Sequence, residues 1–255
     1  MKNVLVTGFG PFGVYKRNPS SDIVDALQKQ GIPDINIITE KLSVVYSEVK
    51  EVVPALWKKH SPDFVCHIGV HPVVRCIKLE KQAFADGYVR DDINGCTPEN
   101  NSTCCPASEK FTVLTSTHDL EKVVSDVSKK LELDFCPLQL TTSEDPGRYL
   151  CSFSYYLSLN EDRQKSLFIH VPEFDDECTL ELVTSVVKEV ILELVNDFQT
   201  PRRESSGCRS AVITISTIHT AQLQISYNLE IPVCDIISSP LRSQFSIATI
   251  VHTHD

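Results

Sequence analysis

Hydrophobic and polar positions along this 255-residue chain change period several times, and each change marks an element. Five short apolar runs, at residues 4–6, 35–39, 64–69, 138–142 and 166–170, are bounded by glycine, proline or polar clusters. They read as buried strands, the first ending at Thr7 and the last at His170, just before Pro172. Between them the apolar spacing lengthens to three and four. Residues 22–30 form a helix that Ser20-Ser21 can cap and Gly31 ends, and residues 48–60 form a second despite Pro54. Residues 119–131 carry Leu120, Val123, Val124 and Val127 on one face. Residues 179–198 carry the stripe Leu180, Val183, Val187, Ile191 and Leu194, which is core and not a cofactor box. The β-α-β-α order with short apolar strands predicts an α/β fold, a three-layer αβα sandwich with a largely parallel central sheet.

After Phe198 the pattern breaks. Gln199-Thr200-Pro201-Arg202-Arg203-Glu204-Ser205-Ser206-Gly207 has linker composition. Beyond it Leu223, Ile225, Tyr227, Leu229 and Ile231 alternate with polar residues, as a strand requires. The organisation expected is one domain over 1–198 and an extension over 199–255. That extension is an added hairpin, a partner-binding strand, or a segment that never folds; a strand there needs an exposed sheet edge to be ordered.

Two features carry chemistry. In Asp145-Pro146-Gly147-Arg148-Tyr149-Leu150-Cys151 a glycine turn delivers a thiol to the start of an apolar run that can continue as a helix. Unbonded amides and the positive dipole end of a helix favour a thiolate in its first turn. His170 closes a short buried strand, and strand ends in α/β folds open onto the ligand crevice. The two together suit nucleophilic thiol catalysis. Each alone has a plainer reading, since cysteine is often an inert core residue and a strand-end histidine is often structural. His67, inside a strand, reads as a satisfied core histidine. The glycines of Thr7-Gly8-Phe9-Gly10-Pro11-Phe12-Gly13 form a turn that matches neither dinucleotide nor Walker phosphate loops. Phe9 and Phe12 then make either an apolar pocket at a strand end or ordinary core.

Charge and cysteine count narrow the partners. A net charge of −10 argues against nucleic acid and anionic membrane. The chain enters a strand directly after Met1-Lys2-Asn3, with no signal peptide, and no apolar run reaches membrane-spanning length. Ten cysteines without a leader imply a reducing compartment, so a cytoplasmic location is expected, with the Asn100 and Asn101 sequons unglycosylated. Cys96, Cys104 and Cys105 cluster without a paired C-x-x-C, so no metal site is expected, and thiol chemistry of this kind needs no cofactor.

Several motifs in register resemble the type I pyroglutamyl-peptidases, cytosolic cysteine peptidases that remove an N-terminal pyroglutamate. They are Thr7–Gly13 with Asn18-Pro19-Ser20, Pro54-Ala55-Leu56-Trp57, Leu79-Glu80-Lys81, Gly147-Arg148-Tyr149-Leu150-Cys151 and Phe168-Ile169-His170-Val171-Pro172. The likeness spans roughly residues 1–197 and points to the vertebrate members, including their pyroglutamyl-peptidase 1-like branch. It implies Cys151 as nucleophile, His170 as general base and acid, and Glu80 as the carboxylate that orients the imidazole. It also implies a lactam pocket from Phe9 and Phe12, with Tyr149 and Leu150 near the thiol. Arg90 is expected to steady the oxyanion or the Glu80 charge. The partners implied are peptides with N-terminal pyroglutamate, cleaved by a monomer or weak homo-oligomer.

The sequence departs from the family pattern at Pro146, where alanine is usual, and at Ser152, where asparagine or aspartate is usual. Lys41-Leu42-Ser43-Val44-Val45-Tyr46 replaces a proline-containing segment, and His71-Pro72-Val73-Val74 a glycine-rich one. These changes motivate an alternative, a catalytically silent paralogue that binds peptides or partners.

Overall fold

A computed structural model describes residues 1–103 and 112–196 in full, and the backbone of 197, 211–216 and 226–231. Cys104 and Cys105 lie outside the described residues. So do the linker and the start of the alternating strand at Leu223 and Ile225. The chain divides into two compact units, Met1–Gln199 and Thr200–Asp255.

The first unit opens with β1 (Lys2–Phe9), α1 (Pro19–Gln30), β2 (Ile35–Leu42), α2 (Tyr46–His60) and β3 (Phe64–Val70). Three short strands follow, β4 (Cys76–Glu80), β5 (Gln82–Phe84) and β6 (Val113–Thr115). It closes with α3 (Leu120–Lys130), β7 (Gln139–Ser143), α4 (Leu150–Glu161), β8 (Ser166–Val171) and α5 (Leu180–Asp197). In the second unit β9 (Ala211–Ser216) pairs antiparallel with β10 (Ser226–Ile231). The alternating strand of the extension therefore finds its partner within its own unit.

Six strands form the central sheet in the order β2-β1-β3-β8-β4-β7. All pairings are parallel except β4 against β8. Side chains alternate across the sheet, so Val4, Val6, Cys66, Ile68, Leu167 and Ile169 face one core under α1, α3 and α5. Leu5, Val65 and Phe168 face the other, under α2 and α4. The stripe of α5 is buried at Val183, Val187, Ile191 and Leu194. Each such side chain contributes roughly 1.5–3 kcal/mol, so one charge there, as in Val187→Asp, is enough to break the layer.

Local chemistry moves three boundaries. Asn18, not Ser20 or Ser21, caps α1, its side chain accepting the Ser20 amide at 3.1 Å. Ser20 Oγ instead accepts the Phe9 amide at 3.0 Å, which lets β1 run two residues past Thr7. Helix α2 starts at Tyr46, whose amide is taken by the buried Asp92 carboxylate at 3.1 Å. Strand β4 is not among the five strands read from the sequence, yet it alternates as a strand does: Ile77 and Leu79 are buried in one core, while Lys78 and Glu80 point to the opposite face.

Candidate active site

The site is built where β7, β8, β3 and β4 meet the N-terminus of α4. Beyond β7 the chain reverses at Asp145-Pro146-Gly147. Asp145 Oδ1 accepts the Gly147 amide and an Arg148 guanidinium N–H, each at 3.0 Å. Gly147 has φ +78°, so proline followed by glycine supplies what a type II turn demands. Pro146 therefore fits the turn. Tyr149 is extended and precedes α4 with no side-chain cap, and the first turn of the helix carries no acid. The amides of Leu150, Cys151 and Ser152 belong to the opening turn and have no carbonyl within the helix to bond. An anion at Cys151 would meet that uncompensated positive end.

The thiol lies against Gly69 of β3. A Cβ added there would come within 2.8 Å of Cys151 Sγ and 2.7 Å of Phe168 Cζ, so only glycine permits the approach. Gly69 is in register with His170 on the adjacent strand. The thiol is near enough to the imidazole to act on its charge. On the far side His170 Nδ1 bonds Glu80 Oε1 at 2.7 Å, and both residues are almost fully buried. With Nδ1–H donated to the carboxylate, Nε2 is the nitrogen left for the thiol.

Burial by itself pulls the His170 pKa down. The charge of Cys151, then the hydrogen bond and charge of Glu80, outweigh it and raise the pKa to about 9. Glu80 Oε2 is buried with no hydrogen-bond partner, so the imidazolium is the compensation this carboxylate has. Cys151, His170 and Glu80, the three residues that the resemblance implies together, thus form one line.

Phe9, Leu150, Phe12 and Tyr149 join the same apolar cluster as Cys151, with Phe9 and Leu150 buried and the other two half-buried. The Phe12 and Tyr149 rings lie 6.4 Å apart, centroid to centroid. Of the two roles expected of Arg90, steadying the oxyanion or the Glu80 charge, its placement disfavours the second. Its guanidinium sits 4.3 Å over the Tyr149 ring and is exposed, whereas Glu80 is enclosed against His170. Arg90 therefore braces the pocket wall and does not steady the Glu80 charge.

Three contributors escaped the sequence reading. Tyr46 packs edge-on against Tyr149 at 5.9 Å and Phe153 at 5.0 Å. Gly69 makes room for the thiol. The Ser152 hydroxyl, buried, meets the Phe84 amide at 3.3 Å and the Tyr88 hydroxyl at 3.2 Å, tying β5 to the nucleophile helix. Only Gly69 had a legible signal, a glycine ending a buried strand.

Known proteins resemble this chain along most of its length. Residues 1–175 match the family described as "Putative pyroglutamyl peptidase PgaPase_1". Mouse pyroglutamyl-peptidase 1 is 34% identical over 82% of this chain and 97% of its own. The human pyroglutamyl-peptidase 1-like protein is 29% identical over 70% and 88%. A mutant pyrrolidone carboxyl peptidase from Pyrococcus furiosus superposes with a TM-score of 0.67, at 26% identity over 77% of this chain and 99% of that one.

Proposed function

Because this chain belongs to the pyroglutamyl-peptidase family, a family of hydrolases, we propose that it cleaves the amide after an N-terminal pyroglutamyl residue, with Cys151 as nucleophile. The observation that carries the reading is the line from the half-buried Cys151 through the buried His170 to Glu80, set at the open start of α4. A pyroglutamyl group is a neutral lactam with no charged amine. The aromatic wall of Phe9, Phe12 and Tyr149 suits its ring, and backbone groups can pair its N–H and C=O.

The thiolate Sγ attacks the carbonyl carbon, and the oxygen turns negative facing the first-turn amides. Each such donor is typically worth about 3 kcal/mol. The tetrahedral centre collapses as His170 Nε2 hands its proton to the departing amine, leaving a thioester on Cys151. His170 then takes a proton from water, the resulting hydroxide attacks the thioester, and pyroglutamate leaves with the thiol restored. Glu80 holds the imidazole in the tautomer this exchange needs and stabilises its charged form.

The domain carrying this chemistry ends near Phe198, and the 199–255 extension is dispensable for it. We place the protein in a reducing compartment, the cytoplasm, on its ten cysteines, and take it to act as a monomer or weak homo-oligomer. Among the described residues no helix is long and apolar enough to cross a membrane. The silent-paralogue alternative gains nothing from the geometry, since Pro146 and Ser152 are accommodated without displacing the line. The test is hydrolysis of a pyroglutamyl-coumarin amide by the full chain and by Cys151→Ala. Turnover that vanishes in the variant with unchanged circular dichroism supports the reading, and retained turnover sinks the nucleophile assignment.

A further inference from the structure

His170 is flanked on both sides. Glu80 holds its Nδ1 from behind, and on the opposite, C-terminal side of the sheet two further residues converge in front of it. His71 follows Gly69 by two positions, so it projects from the same face one pleat further on. Its ring lies 5.3 Å from that of His170, edge to face. Lys78 is the register partner of His170 across the antiparallel β4–β8 pairing. Its ammonium reaches across to within 3.5 Å of His71 Nε2. Both side chains are half-buried.

These two groups face each other as donors. His71 Nδ1 accepts the Val73 amide at 3.0 Å, so the neutral ring carries its hydrogen on Nε2, towards Lys78. Burial first, then the charges of His170 and Lys78, hold the His71 pKa down near 4, so the ring is neutral at working pH. An N–H and an ammonium thus meet with no acceptor between them. Among the described residues Lys78 has no carboxylate partner. A half-buried donor pair of this kind favours an anion between its members.

The reaction dictates what arrives there. His170 must touch the leaving amine, and the lactam occupies the aromatic side of the thiol. The residue bearing that amine therefore extends past His170 towards His71 and Lys78. Resting on the peptidase reading above, we infer that His71 and Lys78 form a carboxylate-binding subsite for the residue following pyroglutamate. The enzyme then favours substrates that carry a negative charge at that residue. The His71-Pro72-Val73-Val74 segment supplies half of it.

The test compares kcat/KM of the full chain on pyroglutamyl-aspartyl amide and on pyroglutamyl-asparaginyl amide, which has the same shape without the charge. A second arm compares pyroglutamyl-alanine with its amide, and so separates a side-chain carboxylate from a chain-end one. A preference of about fivefold is expected in one arm or both, shrinking as salt is raised. Lys78→Met should bring the ratio close to one, and Lys78→Arg should keep it. Ratios near one in both wild-type arms overturn the subsite, as does a ratio that survives Lys78→Met. Failure to cleave any pyroglutamyl peptide would instead count against the peptidase reading. The same ratio, read by calorimetry as affinity for Cys151→Ala, then decides the subsite separately.

Discussion

Two histidines on the same face of the sheet, His67 and His170, are both buried and carry opposite charge states. His67 Nδ1 lies 2.6 Å from the Thr7 hydroxyl, and its Nε2 lies 2.6 Å from the Ser158 hydroxyl. Trp57 Nε1–H donates to the same Ser158 oxygen at 2.9 Å, which leaves the serine proton for His67. Hydroxyls satisfy a neutral ring, and burial, meeting no opposing charge, lowers its pKa to about 3. His170 suffers the same burial, yet its partners are a carboxylate and a thiol, and its pKa rises to about 9. Burial decides that a histidine needs partners; the charge of those partners decides which form it takes. One region is thereby fitted to hold the fold and the other, on the peptidase reading, to react.

The harshest way to break the contrast is to remove the reactive partners. Cys151→Ala and His170→Ala should each lower kcat by about 10⁴-fold or more, measured on a pyroglutamyl-coumarin amide, because members of such a unit fail together. Glu80→Gln keeps the shape and withdraws the charge, and a loss on the order of 10²-fold is expected. A wild-type rate in Glu80→Gln would reduce the site to a pair. His67→Phe should do the reverse. It strands the Thr7 and Ser158 hydroxyls, costing about 2–4 kcal/mol in urea unfolding, while kcat moves far less than in the active-site variants.

Acidity sharpens the comparison further. The folded pKa of His170 lies above its ordinary 6.5, so its stabilising contribution is full below pH 6.5 and is lost as pH rises towards 9. That of His67 lies below 6.5, so its contribution is full above pH 6.5 and is lost as pH falls towards 3. Unfolding free energy followed against pH should show both limbs. Cys151→Ala should flatten the alkaline one and His67→Phe the acid one. The smallest effect expected is that of ending the chain at Gln199. Both histidines belong to the Met1–Gln199 unit, and the shortened protein should melt cooperatively with an unchanged midpoint. A large drop would make the extension integral to the fold.

Much was settled by the sequence alone. Short β-branched runs and three-to-four spacing placed the main strands and helices, because those periods reflect local burial that each segment carries within itself. The turn chemistry of Asp145-Pro146-Gly147 fixed the start of α4, and with it the position of Cys151 at a helix end. What only the tertiary structure decided was who stands beside His170. Strand order depends on pairings between distant segments, and the insertion of β4 antiparallel beside β8 put Glu80 behind the imidazole and Lys78 in front of it. Nothing local to Lys78-Leu79-Glu80 announces that neighbour. For the same reason, the sequence distinguished neither the charge of His170 from that of His67 nor the place of Arg90 on Tyr149, since both follow from contacts that exist only once the sheet has closed.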